Sequence, residues 1–82
     1  MNFTNPQAEQ LYTMLRDTYK KATLNKAELA NEMGCSQSTL NNYISKGYGI
    51  PNYLKIGNSK NASIRFNIVD VAEFMSQTIK TA

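Results

Sequence analysis

Residues 24–47 read LNKAELANEMGCSQSTLNNYISKG, and this stretch decides the fold. Asn25 and Glu28 stand at the spacing of a capping box. The Asn side chain accepts an N–H from the first turn, and the Glu reaches back to the N–H of Asn25. Leu24 and Leu29 flank that start at the spacing of a hydrophobic staple. Gly34 is the residue best able to adopt a left-handed conformation and stop the helix. Only Gly34 and Cys35 separate this stop from a second start. Ser36 caps it, Cys35 and Leu40 can form a second staple, and Gly47 ends it. The spacing predicts two short helices joined by a tight turn, a helix-turn-helix. Leu29, Ala30, Met33, Leu40 and Ile44 supply the face the pair would share, with Tyr43 also turned inward.

Both flanks extend this pattern. Asn5-Pro6 offers a cap followed by the residue favoured at the first helical position. Ala8, Leu11, Tyr12, Leu15 and Tyr19 then recur at three- and four-residue steps, which predicts an amphipathic helix over residues 6–21. After Gly47, the run Gly47-Tyr48-Gly49-Ile50-Pro51 breaks the helical period. Tyr53-Leu54-Lys55-Ile56 and Ser63-Ile64-Arg65-Phe66 are β-prone arms around a loop, 57–62, that is rich in Gly, Asn and Ser. Asn67 is the expected cap of a last helix, with Asp70 three residues on and Phe66 and Val71 as a third staple. Val71, Phe74, Met75 and Ile79 form its apolar stripe. The predicted fold is mostly α with a small β-hairpin, in the order helix-helix-helix-hairpin-helix. This is a winged helix-turn-helix in a single domain. Its expected parts are an N-terminal extension helix (1–22), the helix-turn-helix (23–47), the wing (52–66) and the C-terminal helix (67–80).

Composition narrows the function. The chain has 82 residues, no His, no Trp and one Cys. A structural zinc site needs about four Cys or His ligands, so none is expected within one chain. A single Cys35 cannot pair internally, and a reduced thiol suits a cytoplasm. No run of about 18 apolar residues marks a membrane span, and no basic-then-apolar segment marks a secretion signal. We therefore expect a cytoplasmic protein without membrane or cofactor. Nucleophilic catalysis by Cys35 would need a nearby base, and there is no His. Asp70 and Glu73 lie one turn apart, but Asp70 already has an expected capping task. The chain reads as a binding protein, not an enzyme.

Nine Lys and Arg stand against six Asp and Glu, a formal charge of +3. The distribution says more than the sum. No acid lies between Glu32 and Asp70, while Lys46, Lys55, Lys60 and Arg65 do. The outer face of the third helix carries amides and hydroxyls and no carboxylate. Gln37, Asn41 and Asn42 can pair with adenine edges. Ser36, Ser38 and Thr39 can donate to phosphate, and Lys46, with Lys20 or Lys21, can neutralise backbone charge. Lys55, Lys60 and Arg65 lie on the hairpin, with Asn58, Ser59 and Asn61 at its tip. A basic hairpin after such a helix suits a duplex backbone. The expected DNA-binding set is thus Ser36, Gln37, Ser38, Thr39, Asn41, Asn42, Lys46, Lys55, Lys60 and Arg65.

Several pieces in order carry a family resemblance. They are Lys26-Ala27-Glu28-Leu29-Ala30, Gly34-Cys35-Ser36-Gln37-Ser38-Thr39-Leu40, the Gly49-Ile50-Pro51 step, and Arg65-Phe66 leading to Asp70-Val71. Over residues 24–75 the chain resembles the MerR-type winged-helix family of small phage and mobile-element proteins, the excisionases and AlpA-like regulators. The resemblance implies a DNA-binding helix at 36–46 and a wing at 54–66. It implies a role in excision, in transcription control or in both, inside a bacterial or phage-infected cell. The chain departs from the family in its extra N-terminal helix, its long wing loop and a recognition helix without Arg.

Double-stranded DNA is the expected partner, with copies assembling side by side and an integrase or recombinase as a further partner. The alternative is a protein-interaction module that uses the helix-turn-helix as a scaffold to bind a recombinase or host factor. The first helix keeps that alternative open, because Tyr12, Leu15 and Tyr19 could cover the core or face a partner. Met14, Met33 and Met75 read as core filler. Tyr43, Tyr48 and Tyr53 read as packing at the junction between third helix and hairpin.

Overall fold

The computed structural model describes residues 6–57 and 63–77. Within them the chain forms α1 (Pro6–Tyr19), β1 (Thr23–Leu24), α2 (Lys26–Met33), α3 (Gln37–Lys46), β2 (Leu54–Ile56), β3 (Ser63–Asn67) and α4 (Ile68–Ser76). The protein is mostly helical, with a small three-stranded antiparallel sheet in the order β1-β3-β2. Asn5, Ile79 and the loop residues Asn58, Ser59, Lys60 and Asn61 lie outside the described residues.

The two central helices begin and end on the residues that the sequence offers. Asn25 Oδ1 accepts the N–H of Glu28 at 2.8 Å, and Glu28 Oε1 accepts the N–H of Asn25 at 2.9 Å. A cap of this kind stabilises a helix by about 1 kcal/mol. Gly34 takes φ +70. Its N–H donates to the Asn31 carbonyl and that of Cys35 to the Ala30 carbonyl, the paired bonds of a Schellman motif. Ser36 Oγ accepts the Thr39 N–H at 3.1 Å, and Gly47, at φ +79, closes α3. The turn between α2 and α3 is therefore short and fixed at both ends.

The first helix stops two residues before the expected end. Lys20 adopts φ 56 and donates its N–H to the Arg16 carbonyl at 2.7 Å. This left-handed residue turns the chain back, so that Thr23 pairs with Asn67 and Leu24 with Phe66. The sequence gives no sign of β1. The same pairing alters the start of α4. Asn67 makes no side-chain capping bond, so the capping expected of Asn67 and Asp70 is not found. The Ile68 N–H donates instead to the Ala22 carbonyl at 2.9 Å.

The core gathers Leu15, Leu24, Leu29, Ala30, Leu40, Phe66, Ile68, Val71 and Ala72, with Met33, Cys35, Ile44, Ile64 and Met75 packed around it. Both members of the Leu24/Leu29 and Phe66/Val71 staples are fully buried in this one cluster. Each such side chain contributes about 1.5–3 kcal/mol of burial. The inner side of α1 is consumed here as well. Ala8 and Leu15 are buried, Leu11, Tyr12 and Tyr19 lie against the core, and α1 packs chiefly on α4. The Tyr19 hydroxyl also donates to Glu32 of α2. That bond, followed by burial, raises the phenol's pKa.

Two packing expectations fail. Met14 is 62% exposed and fills no core. It stands about 100° around α1 from Leu15, outside the apolar stripe. Tyr48 is also exposed, Tyr43 is half-buried, and Tyr53 is 41% exposed although its ring lies 5.8 Å from that of Phe66.

Candidate nucleic-acid interface

α3 buries one side and exposes the other. Leu40 is buried, and Tyr43 and Ile44 are half-buried. Gln37, Ser38, Asn41, Asn42, Ser45 and Lys46 are all exposed. At about 100° per residue, Gln37-Asn41-Ser45 and Ser38-Asn42-Lys46 form two adjacent rows. Together they present three amides, two hydroxyls and one ammonium, without a carboxylate. Ser36 and Thr39 flank this surface at the helix start. The Ser36 hydroxyl donates to Thr39 Oγ1 at 3.0 Å while accepting the Thr39 N–H. The Ser36 proton is thus engaged at the helix start, while Thr39 keeps its own hydroxyl proton.

The hairpin arms are set by the register Leu54↔Arg65, Lys55↔Ile64 and Ile56↔Ser63. Opposed residues share a face of the ribbon, and successive residues alternate. Arg65 therefore shares its face with Leu54, Ile56 and Ser63, and Lys55 lies on the other, with Ile64 and Phe66. The two cations of the described ribbon point to opposite sides. Only Arg65 joins the α3 surface. It lines one groove with Asn25, Lys26, Ala27, Gln37, Ser63 and Ile64, where β3 meets the starts of α2 and α3. Lys55 is exposed but outside that groove, and Lys60 lies outside the described residues.

Lys26 is the residue that the sequence reading missed. It is the first residue of α2 and is half-buried in the same groove as Gln37 and Arg65. Of the two lysines offered as backbone neutralisers, Lys21 is engaged within the chain, and Lys20 keeps an exposed side chain. Lys20 terminates α1. Lys21 bonds to Glu28 Oε1 at 2.8 Å. That bond, reinforced by the Asn25 N–H and the nearby charges of Lys21 and Arg65, holds the Glu28 carboxyl below its ordinary value against the opposing effect of burial.

The acids lie away from this face or are engaged. Glu32 accepts from Tyr19. Asp70 and Glu73 line a separate groove with Ile50, Pro51 and α4. Glu9 and Asp17 are exposed on α1. Among the described residues no helix is long and apolar enough to cross a membrane, and no cluster of three or more His, Cys, Asp or Glu could hold a metal. No protein-family model, curated protein or solved structure matches the chain.

Proposed function

We propose that the protein is a winged helix-turn-helix that binds duplex DNA sequence-specifically. α3 enters the major groove as the recognition helix, and the β2–β3 hairpin is the wing beside it. Gln37, Asn41 and Asn42 read base edges, while Ser38, Lys46 and Arg65 meet the backbone. Lys55 meets the backbone only if the duplex reaches the ribbon's other face. The observation that carries the reading is the shared groove of Gln37 and Arg65, which sets an amide of the acid-free helix face beside a cation of the hairpin. The resemblance to the excisionases and AlpA-like regulators supports the same reading, with a role in transcription control, in excision or in both.

The competing reading, a scaffold that binds a recombinase or host factor, drew on α1. The apolar side of that helix is spent within the chain, and Met14 is its only exposed large apolar residue. That favours α1 as support for the fold. Mobility-shift titration against the DNA upstream of the protein's own coding sequence, at two salt concentrations, tests the proposal. Specific binding that weakens steeply with salt is the expected result. Equal affinity for the upstream and unrelated duplexes would remove the claim of sequence reading.

A further inference from the structure

We propose that the groove between β3 and the starts of α2 and α3 seats a single duplex phosphate between Lys26 and Arg65, and that Lys21 supports this seat from outside by holding the charge of Glu28. The inference rests on the duplex-binding reading and goes past it by assigning Lys26 and Lys21.

Three observations meet at this groove. Its lining contains two cations, two amides and a hydroxyl, and no carboxylate. Lys26 and Arg65 are both half-buried, and neither has an ion-pair partner within salt-bridge distance among the described residues. Two like charges partly withdrawn from water in one cleft repel each other, and a bound anion offsets that cost. Gln37 lines the same groove, so a phosphate held there would set the register of the base edge that Gln37 reads.

Glu28 is the acid that could spoil the seat. It lies on the first turn of α2, near enough for the charge of Arg65 to act on it. Its Oε1 accepts from the Asn25 N–H at 2.9 Å and from Lys21 at 2.8 Å. Both bonds hold the carboxylate on the helix cap and oppose its negative field. Lys21 is thus a positioning residue that acts on the phosphate through Glu28, without touching it.

The test uses the full chain and a fluorescently labelled mixed-sequence duplex of about 20 base pairs, titrated at about 50 and about 200 mM salt. Phosphate contacts do not depend on sequence, so no operator is needed. Lys26→Gln and Arg65→Ala should each reduce the slope of log affinity against log salt by about 0.9, or about 3.5-fold less change over that salt range. Lys21→Ala should weaken binding about two- to threefold, because a Glu28 carboxylate released from the cap can swing to within ~8 Å of the phosphate in water-like medium. Lys21→Ala/Glu28→Gln should bind like Glu28→Gln alone. Gln retains the capping box, and melting curves identify any variant that has lost its fold. A wild-type slope in Lys26→Gln would overturn the phosphate seat. An undiminished loss from Lys21→Ala in the Glu28→Gln background would overturn the role of Lys21. If the unaltered protein binds no duplex at the lower salt, the functional reading itself fails, which is a separate outcome.

Discussion

Gly34→Ala is the sharpest test of the turn that sets α3 against α2. The residue sits at φ +70, and a Cβ built there meets no atom within 4 Å. Steric clash therefore contributes nothing, and the whole effect is conformational. An L-residue in the left-handed region is disfavoured by about 1–2 kcal/mol. Replacing Gly by Ala also stiffens the unfolded chain, which returns about 0.4–1 kcal/mol. The balance is a loss of roughly 1 kcal/mol, or a fall in Tm of about 4–8 °C for a domain of this size. Gly34→Asn should lose less, since Asn tolerates this region better. Thermal unfolding followed by circular dichroism reads all three proteins. An alanine variant that melts at or above the parent would refute the left-handed cap, and with it the geometry that presents α3.

Other perturbations probe other links. Removing residues 1–22 strips α1 from α4 and deletes Leu15 from the core. The remainder should lose its cooperative unfolding transition, and a sharp transition in the truncated chain would show α1 to be an accessory. Glu28 contributes stability that is fully present above the ordinary carboxylate value of 4.5, because its folded-state pKa is lowered, chiefly by Lys21. That stability is lost as pH falls through the folded value, so Tm should drop more steeply with acid in the parent than in Glu28→Gln. Asn41→Ala should relax base preference at one position by about 1–3 kcal/mol and leave the salt slope unchanged. A uniform loss on every sequence would instead make Asn41 a backbone contact.

The parts of the fold legible in sequence are those specified locally. Asn25 with Glu28, Gly34, Ser36 and Gly47 each act within four residues, and each adopts the expected conformation. The parts not legible depend on distant partners. β1 is two residues long and exists because Asn67 and Phe66 accept it as a neighbour. The same contact supplies the Ala22 carbonyl that makes a side-chain cap at Asn67 unnecessary. Helical spacing alone would have put Met14 outside, whereas Lys20 carries no residue-type signal for its left-handed turn.

The candidate site divides the same way. The polar face of α3 follows from a helical period within one segment, so its exposure could be read from sequence. The ribbon could not be treated so. Whether Lys55 and Arg65 share a face depends on the strand register, and a six-residue loop from 57 to 62 leaves that register open. Lys26 joins Gln37 and Arg65 only when three elements are packed together. The bond of Lys21 to Glu28 spans the turn containing β1, so it could not be read from either segment alone.

The central claim is that duplex DNA lies across the exposed face of α3 and the Arg65 side of the hairpin. Titration of the 15N-labelled protein with a duplex from its own upstream region measures this residue by residue. The predicted result is that amide shifts concentrate at residues 36–46, at Lys26 and at 63–65, and leave the outer face of α1 unmoved. Shifts confined to α1 and α4, or none on α3 at saturating duplex, would contradict it.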